Sequence, residues 1–239
     1  MTRRRWIADE HSEDTALLLG ANASHLARVL RARAGQEYDI VCGPRVRLGT
    51  IVTVSEERVE LSLGAVVEAE GEREIVLVAA IYKFDRLDWA IEKCTELGVT
   101  RILPVIARRT ESHLAMAAGK RVERWRRIAH EAAQQSRRLH PPMIDEPVKL
   151  KAALGMEVLM EGGTRLLLNE DENKKKICDA LSGAAPPLIF AVGPEGGWTA
   201  EEVAEFNAVG WRSVSLGATI LRAETAMIAA VALAVGLAE

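Results

Sequence analysis

Gly193-Pro194-Glu195-Gly196-Gly197-Trp198-Thr199 and, about twenty residues on, Leu216-Gly217-Ala218-Thr219-Ile220-Leu221-Arg222-Ala223-Glu224-Thr225-Ala226 decide how this chain is read. Each follows an apolar run with the character of a strand, at 188–192 and 213–216, and each opens into a helical pattern. Strand–turn–helix repeated in this way predicts an α/β fold with a mainly parallel sheet. In such sheets ligands bind beyond the carboxyl ends of the strands. There glycine permits positive φ and lets a ligand lie against bare backbone. The standard phosphate fingerprints, GxxxxGK[ST] and GxGxxG, are both missing, which argues against a kinase or a nucleotide-dependent oxidoreductase. Glu195 in the middle of the first turn also disfavours a polyanion. The pair of turns fits a ligand with donor groups, such as an adenine edge or ribose hydroxyls. Taken singly, each turn reads equally as a plain strand–helix connection; Arg222 and Glu224 beside the second favour a site.

Outward from these turns the pattern stays α/β. The run 75–80 (Ile-Val-Leu-Val-Ala-Ala) suits a buried parallel strand. A helix is expected over 85–97, with Leu87, Ala90, Ile91, Cys94 and Leu97 on one side and Gly98 as its C-cap. Strands are expected at 101–107 and 165–169. A long basic helix is expected over 120–139, ended by Pro141-Pro142. Thr199-Ala200-Glu201-Glu202 reads as a capping box opening a helix through about residue 209. The apolar final run, 224–237, predicts a buried helix, packed in the core or on a second subunit.

Residues 1–70 have a different texture. Short alternating runs at 38–42, 46–54 and 58–63, broken by Gly, Pro and acidic turns, predict a small β-barrel. One helix is expected before them over 23–33, with Leu26, Val29 and Leu30 facing in. The polar stretch 68–73 reads as a linker, giving domains at 1–70 and 73–239.

Composition sets outer limits. The 239 residues are 49% hydrophobic and 27% charged, as in an ordinary globular protein. No apolar run approaches a membrane span of about 20 residues. The N-terminal Arg3-Arg4-Arg5 has no apolar stretch behind it, which argues against a secretory signal. Three cysteines far apart, with no CxxC or HExxH, point to a reducing cytoplasm and to no metal site. The net charge of −3 hides a basic stretch: from Arg108 to Arg138 there are nine Lys/Arg against three Glu. Such a patch attracts phosphate, or is simply a solvated helix face.

In several of these segments the chain resembles the RsmE family of 16S rRNA uridine-N3 methyltransferases, within the SPOUT superfamily. The resemblance rests on GPEGGWTAEEV and SLGATILRAETAMIAA, on Lys83-Phe84-Asp85-Arg86 with 92–99 (EKCTELGV), on 131–138 (EAAQQSRR), and on 25–31 (HLARVLR) with Gly35. It implies an N-terminal PUA-like barrel and a SPOUT-type parallel sheet with a C-terminal trefoil knot. It also implies a homodimer and S-adenosylmethionine as cofactor. Carried onto this sequence, the cofactor-binding residues are Leu168, Asn169, Gly193, Glu195, Gly196, Gly197, Leu216, Gly217, Ile220, Leu221 and Arg222. Arg222 and Glu224 are the catalytic candidates. Candidate contacts to 16S rRNA are Arg4, Arg28 and Arg31 in the first domain, and Lys83, Arg86, Arg109, Arg124, Arg127, Arg137 and Arg138 in the second. Ala218-Thr219 stands where the family commonly has a Pro or Lys and then an Arg, and Phe84, Glu92 and Trp198 replace a usual Gly, Gln and Phe. The competing readings are a SPOUT enzyme acting on tRNA or 23S rRNA, and a non-catalytic RNA-binding assembly factor.

Overall fold

A computed structural model describes residues 4–67, 73–136, 138–160 and 162–237. Of the expected linker at 68–73, residues 68–72 lie outside the described residues, as does Arg137. Contacts between Cα atoms divide the chain into two compact units, 1–71 with 133–140, and 72–132 with 141–239.

The first unit carries a six-stranded sheet. Its strands are β1 (Arg5–Ile7), β2 (Glu10–His11), β3 (Thr15–Leu19), β4 (Glu37–Cys42), β5 (Arg45–Val54) and β6 (Arg58–Val67), in the order β1-β4-β5-β6-β3-β2. Inward residues Leu18, Ile40, Ile51, Val59 and Leu61 form its core. Gly49 belongs to this packing, because a Cβ there would stand 2.4 Å from Ile40 Cγ1. The helix is earlier and less regular than expected: α1 (Gly20–Ser24) runs into a π-helical turn at His25–Val29. Leu30 N–H donates to the His25 carbonyl, five residues back. The wider turn rotates the following side chains, so Leu26 is buried while Val29, expected inside, is 65% exposed.

The second unit is built on a parallel sheet of seven strands: β7 (Ile75–Ala80), β8 (Arg101–Ile106), β9 (Met143–Ile144), β10 (Val148–Lys149), β11 (Thr164–Leu168), β12 (Leu188–Val192) and β13 (Arg212–Val214). The order is β10-β8-β7-β12-β11-β13, with β9 also on β8. Every residue of β7 and β12 is buried. The reason is that both faces are covered. Ile75, Leu77 and Ala79 join a core formed with α2 (Phe84–Glu96), α4 (Val122–Gln135), α7 (Ile177–Leu181) and α9 (Ala223–Leu237). Val76, Val78 and Ala80 join a core on the opposite face, formed with α5 (Leu150–Ala153), α6 (Glu157–Met160) and α8 (Ala200–Ala208). A further helix, α3 (Ser112–Ala117), follows β8. Strands so enclosed can be apolar at every position.

Local chemistry sets the helix ends. Gly98 follows α2 with φ +105°, a C-cap conformation that other residues resist. The capping box of α8 is present: Glu202 N–H donates to Thr199 Oγ1 (3.2 Å) and Thr199 N–H to Glu202 Oε2 (2.9 Å). Glu202 does more than cap. It is buried, and its Oε1 accepts the Arg108 N–H at 2.7 Å, tying the turn after β8 to the start of α8. Removing its carboxylate orphans two backbone donors, whereas removing the Thr199 hydroxyl orphans one. We expect Thr199→Ala to cost about 1 kcal/mol and Glu202→Ala about 2–4 kcal/mol, read as shifts in the urea unfolding midpoint at constant m-value.

Candidate functional site

The carboxyl ends of the three adjacent strands β12, β11 and β13 open onto one cleft of about 550 Å³. That size suits a small-molecule ligand. Leu168 and Asn169 after β11, Gly193 and Glu195 after β12, and Leu216 and Gly217 after β13 all line it. Ile220, Leu221 and Arg222 complete the second loop along its wall. Gly196 lies beside the cleft, its carbonyl accepting from Arg109 Nη1. Glu224, in the first turn of α9, also lies beside it through its contact with Arg86.

The glycines of the first turn work in two ways. Gly197 has φ +70°, and a Cβ there would meet Glu170 Oε1 at 2.6 Å. Gly193 has an ordinary φ; its constraint is proximity, since a Cβ would stand 3.2 Å from Trp198 Nε1. The turn is closed by Gly197 N–H donating to the Pro194 carbonyl (2.8 Å). In the second loop, Ser215 Oγ bonds Gly217 at both its N–H (3.2 Å) and its carbonyl (3.0 Å).

One cation organises the carboxylates. The Arg86 guanidinium donates to Glu195 and lies 3.8 Å from Glu224 Oε1. It therefore joins the first glycine turn to the start of α9. The Glu224 side chain is 8% exposed, and its Oε2 has no hydrogen-bond partner among the described residues. Buried carboxylate oxygens are normally satisfied, so this acceptor is one to which a bound group could donate. Trp198 Nε1 is a second buried orphan, a donor on a residue that lines the cleft. Behind Arg86, Tyr82 is buried and donates its hydroxyl to Met227 Sδ of α9 (3.9 Å). Burial pushes its phenol well above the ordinary range, reinforced by Cys94, Glu224 and Glu195. Burial likewise raises the Cys94 thiol, so neither group is an acid or base near neutrality.

Arg222 is the opposite case. It is exposed at the cleft, and its side chain makes no hydrogen bond or ion pair among the described residues. The cation that pairs with Glu224 is Arg86 and not its near neighbour Arg222. The residues fit S-adenosylmethionine on chemistry: two backbone-rich loops for an adenosine, and carboxylates for a sulfonium and an ammonium.

The candidate RNA contacts divide by what holds them. Lys83 is exposed at the cleft and unpaired. Arg86 is committed to Glu195 and Glu224, and Arg109 to the carbonyls of Gly196 and Trp198. Arg124 donates to Asp88 Oδ2 (2.7 Å), whose Oδ1 also accepts from Trp125 Nε1 (2.9 Å). Arg127 is exposed and unpaired on α4. In the first unit Arg28 pairs with Glu56, Arg31 is exposed with φ +48°, Arg4 is exposed, and Arg138 is buried. Sequence reasoning missed Glu170, Asp171 and Asn173, which line the cleft after β11. The available signal was an abrupt polar run, Asn169-Glu170-Asp171-Glu172-Asn173, at the end of an apolar strand. Among the described residues there is no cluster of His, Cys, Asp and Glu suited to a metal, and no helix long and apolar enough to cross a membrane.

Known proteins match this chain both in sequence and in fold. The family model described as an RNA methyltransferase domain matches residues 69–235. A Synechocystis protein named ribosomal RNA small subunit methyltransferase E is 33% identical, covering 92% of this chain and 72% of its own length. The Aquifex aeolicus protein of the same name is 27% identical, over 95% of this chain and 96% of its own. The crystal structure of ribosomal RNA small subunit methyltransferase E from Neisseria gonorrhoeae bound to S-adenosyl methionine matches with a TM-score of 0.83 at 29% identity, covering 96% of this chain and 95% of that one. The chain belongs to the ribosomal RNA small subunit methyltransferase E family.

Two substitutions test how the cleft is held. Gly197→Ala forces a side chain into a positive-φ position against Glu170, with an expected loss of about 1–3 kcal/mol. Arg86→Met leaves Glu195 and Glu224 facing each other without their shared cation; because the guanidinium is partly exposed, we expect about 1–2 kcal/mol. Urea unfolding measures both.

Proposed function

We propose that this protein transfers the methyl group of S-adenosylmethionine to N3 of a specific uridine in 16S rRNA of the small ribosomal subunit. The observation that carries this reading is the cleft: loops from three neighbouring strand ends, inside the segment matched by the RNA methyltransferase family, meet an unpaired Arg222 and a buried carboxylate with a free oxygen.

The bound cofactor supplies an electrophilic methyl on a sulfonium. The chain's own residues do the rest. Leu168, Leu216, Ile220 and Leu221 would wall the adenine, and the loops carrying Asn169, Gly193, Gly196, Gly197 and Gly217 would offer backbone groups to its edge and the ribose. Glu195, held by Arg86, faces the positive end. Uridine N3 is a weak acid and a poor nucleophile while protonated, so its proton must leave as the N–CH3 bond forms. Glu224 accepts that proton at Oε2, directly or through one water. Arg222 stabilises the negative charge that develops on a uracil carbonyl. N3 lies on the Watson–Crick edge, so the base is unpaired or drawn out of its stack before it enters. Arg4, Arg28, Arg31, Arg127 and Lys83 would hold the flanking RNA through phosphates.

The strand order, with β11 between β12 and β13, supports a trefoil knot built from the two glycine loops. The curled six-stranded sheet supports a PUA-like barrel at 1–70 beside a SPOUT domain at 73–239. Exposed Trp89 on α2 and Val235 and Leu237 on α9, two helices in mutual contact, support a homodimer, and an rRNA substrate goes with a place in the cytoplasm.

Arg222→Ala and Glu224→Gln should each lower kcat by roughly a hundredfold to ten-thousandfold, with S-adenosylmethionine affinity retained in Glu224→Gln by calorimetric titration. Mass mapping of 16S rRNA from a deletion strain, before and after incubation with the protein and cofactor, tests the whole reading. The expected result is one methyluridine restored; full activity in both variants removes the assigned roles, and no restored methyluridine removes the reading.

A further inference from the structure

The lysine run Lys174-Lys175-Lys176 is absorbed by none of the roles above. It stands where the β11 loop returns along the cleft. Its backbone is pinned at several points. Ser215 N–H donates to the Lys175 carbonyl (2.8 Å), Ile177 N–H donates to the Ser215 carbonyl (3.0 Å), and Lys176 forms a parallel bridge with Ser215. Ser215 itself lines the cleft and holds Gly217 of the second glycine loop. On the other side, Lys174 and Lys175 N–H both donate to Glu172 Oε1 (2.8 and 3.2 Å), and Asn173 lines the cleft. Ile177, immediately after the run, is buried and anchors it.

The side chains are free where the backbone is fixed. All three lysines are exposed, and none of their ammonium groups makes a hydrogen bond or ion pair among the described residues. The nearby acids do not neutralise them by contact. Glu172 is spent on the backbone N–H groups, bonds that lower its carboxyl below the usual range. The basic stretch that stood out in the sequence is different. Arg109 and Arg124 are tied into the fold, Arg126 is held by Glu123, Glu146 and the Ile144 carbonyl, and Arg121 lies over the Phe84 ring. Cations already paired release few counterions on meeting a polyanion, while three adjacent unpaired ones release several.

We propose that Lys174, Lys175 and Lys176 form a strap that binds backbone phosphates of the substrate RNA at the rim of the cleft, next to the nucleotide being methylated. The proposal rests on the reading of this protein as an rRNA methyltransferase and adds where the strand beside the target is held. Lysines act on phosphates as point charges without base preference, so the strap positions the RNA and leaves sequence choice to other contacts. Its hydrogen-bonded link to the second glycine loop through Ser215 sets the phosphates in register with Arg222.

The test compares the wild-type protein with the triple variant Lys174→Gln/Lys175→Gln/Lys176→Gln, which keeps every backbone hydrogen bond. Binding to unmethylated 16S rRNA and to unmethylated small subunits is measured by fluorescence anisotropy between 50 and 200 mM KCl. At about 0.7 counterion per phosphate contact on a single strand, wild-type affinity should fall roughly 20-fold more than that of the variant over this range. The KM for RNA should rise, S-adenosylmethionine affinity and the thermal midpoint should stay unchanged, and the triple Arg variant should recover the wild-type slope. A salt slope equal to wild type overturns the strap. So does a parallel loss of cofactor affinity, which would assign the lysines to the cofactor. Failure of the wild type to methylate 16S rRNA would instead remove the underlying functional reading.

Discussion

The parallel sheet of the second unit has no solvent-facing side, and the placement of everything else follows from that. Its central strands β7 and β12 are apolar at every position because helices cover both faces. Each strand's hydrogen bonds are satisfied by its neighbours, so polar chemistry is confined to the strand ends. At the carboxyl edge, successive chains must turn into helices or cross to another strand. Those turns expose N–H and C=O groups that no strand partner claims. The cleft is therefore a consequence of sheet burial, and its glycines are the residues that let the turns be tight.

Turns of bare backbone do not hold their own shape, and here a few side chains hold them. Arg86 joins the first turn to the start of α9, Arg109 bonds the carbonyls of Gly196 and Trp198, and Glu202 fixes the end of that turn to the loop after β8. Two of these three are cations that sequence patterning sorts with the RNA-facing charge. Their geometry makes them struts of the cleft. Because Arg86 takes up Glu195 and one oxygen of Glu224, Arg222 is left unpaired and Glu224 Oε2 unsatisfied. Both groups stay available to a ligand because a neighbouring cation has taken the pairing they would otherwise share.

Legibility in the sequence followed the strength of the local signal. The runs at 75–80 and 188–192 matched β7 and β12 to the residue, because uninterrupted apolar strands admit few alternatives. The capping box at Thr199 and the C-cap at Gly98 were readable because each rests on side-chain or φ chemistry within four residues. The first unit was harder. β1, β2 and β3 are short, and the helix hides a π-turn that no periodicity of 3.6 anticipates, which is why Val29 faces out. In the cleft, the two glycine turns stood out by their spacing after apolar runs, whereas Leu168 and Asn169 followed only from the family resemblance. The pairing of Arg86 with Glu195 spans 109 positions and left no local trace.

Charge illustrates why composition alone misplaces an interface. A count of Lys and Arg selects 108–138, yet much of that charge is already answered inside the fold by Asp88, Glu123, Glu146 and backbone carbonyls. What attracts a polyanion is the cation still owed a partner, since only it gains more from a phosphate than it loses by leaving water. By that criterion Lys83, Arg222 and the run 174–176 outweigh the longer stretch, and all of them belong to segments that border the cleft. Pairing inside the fold thus concentrates the unanswered positive charge around the cleft.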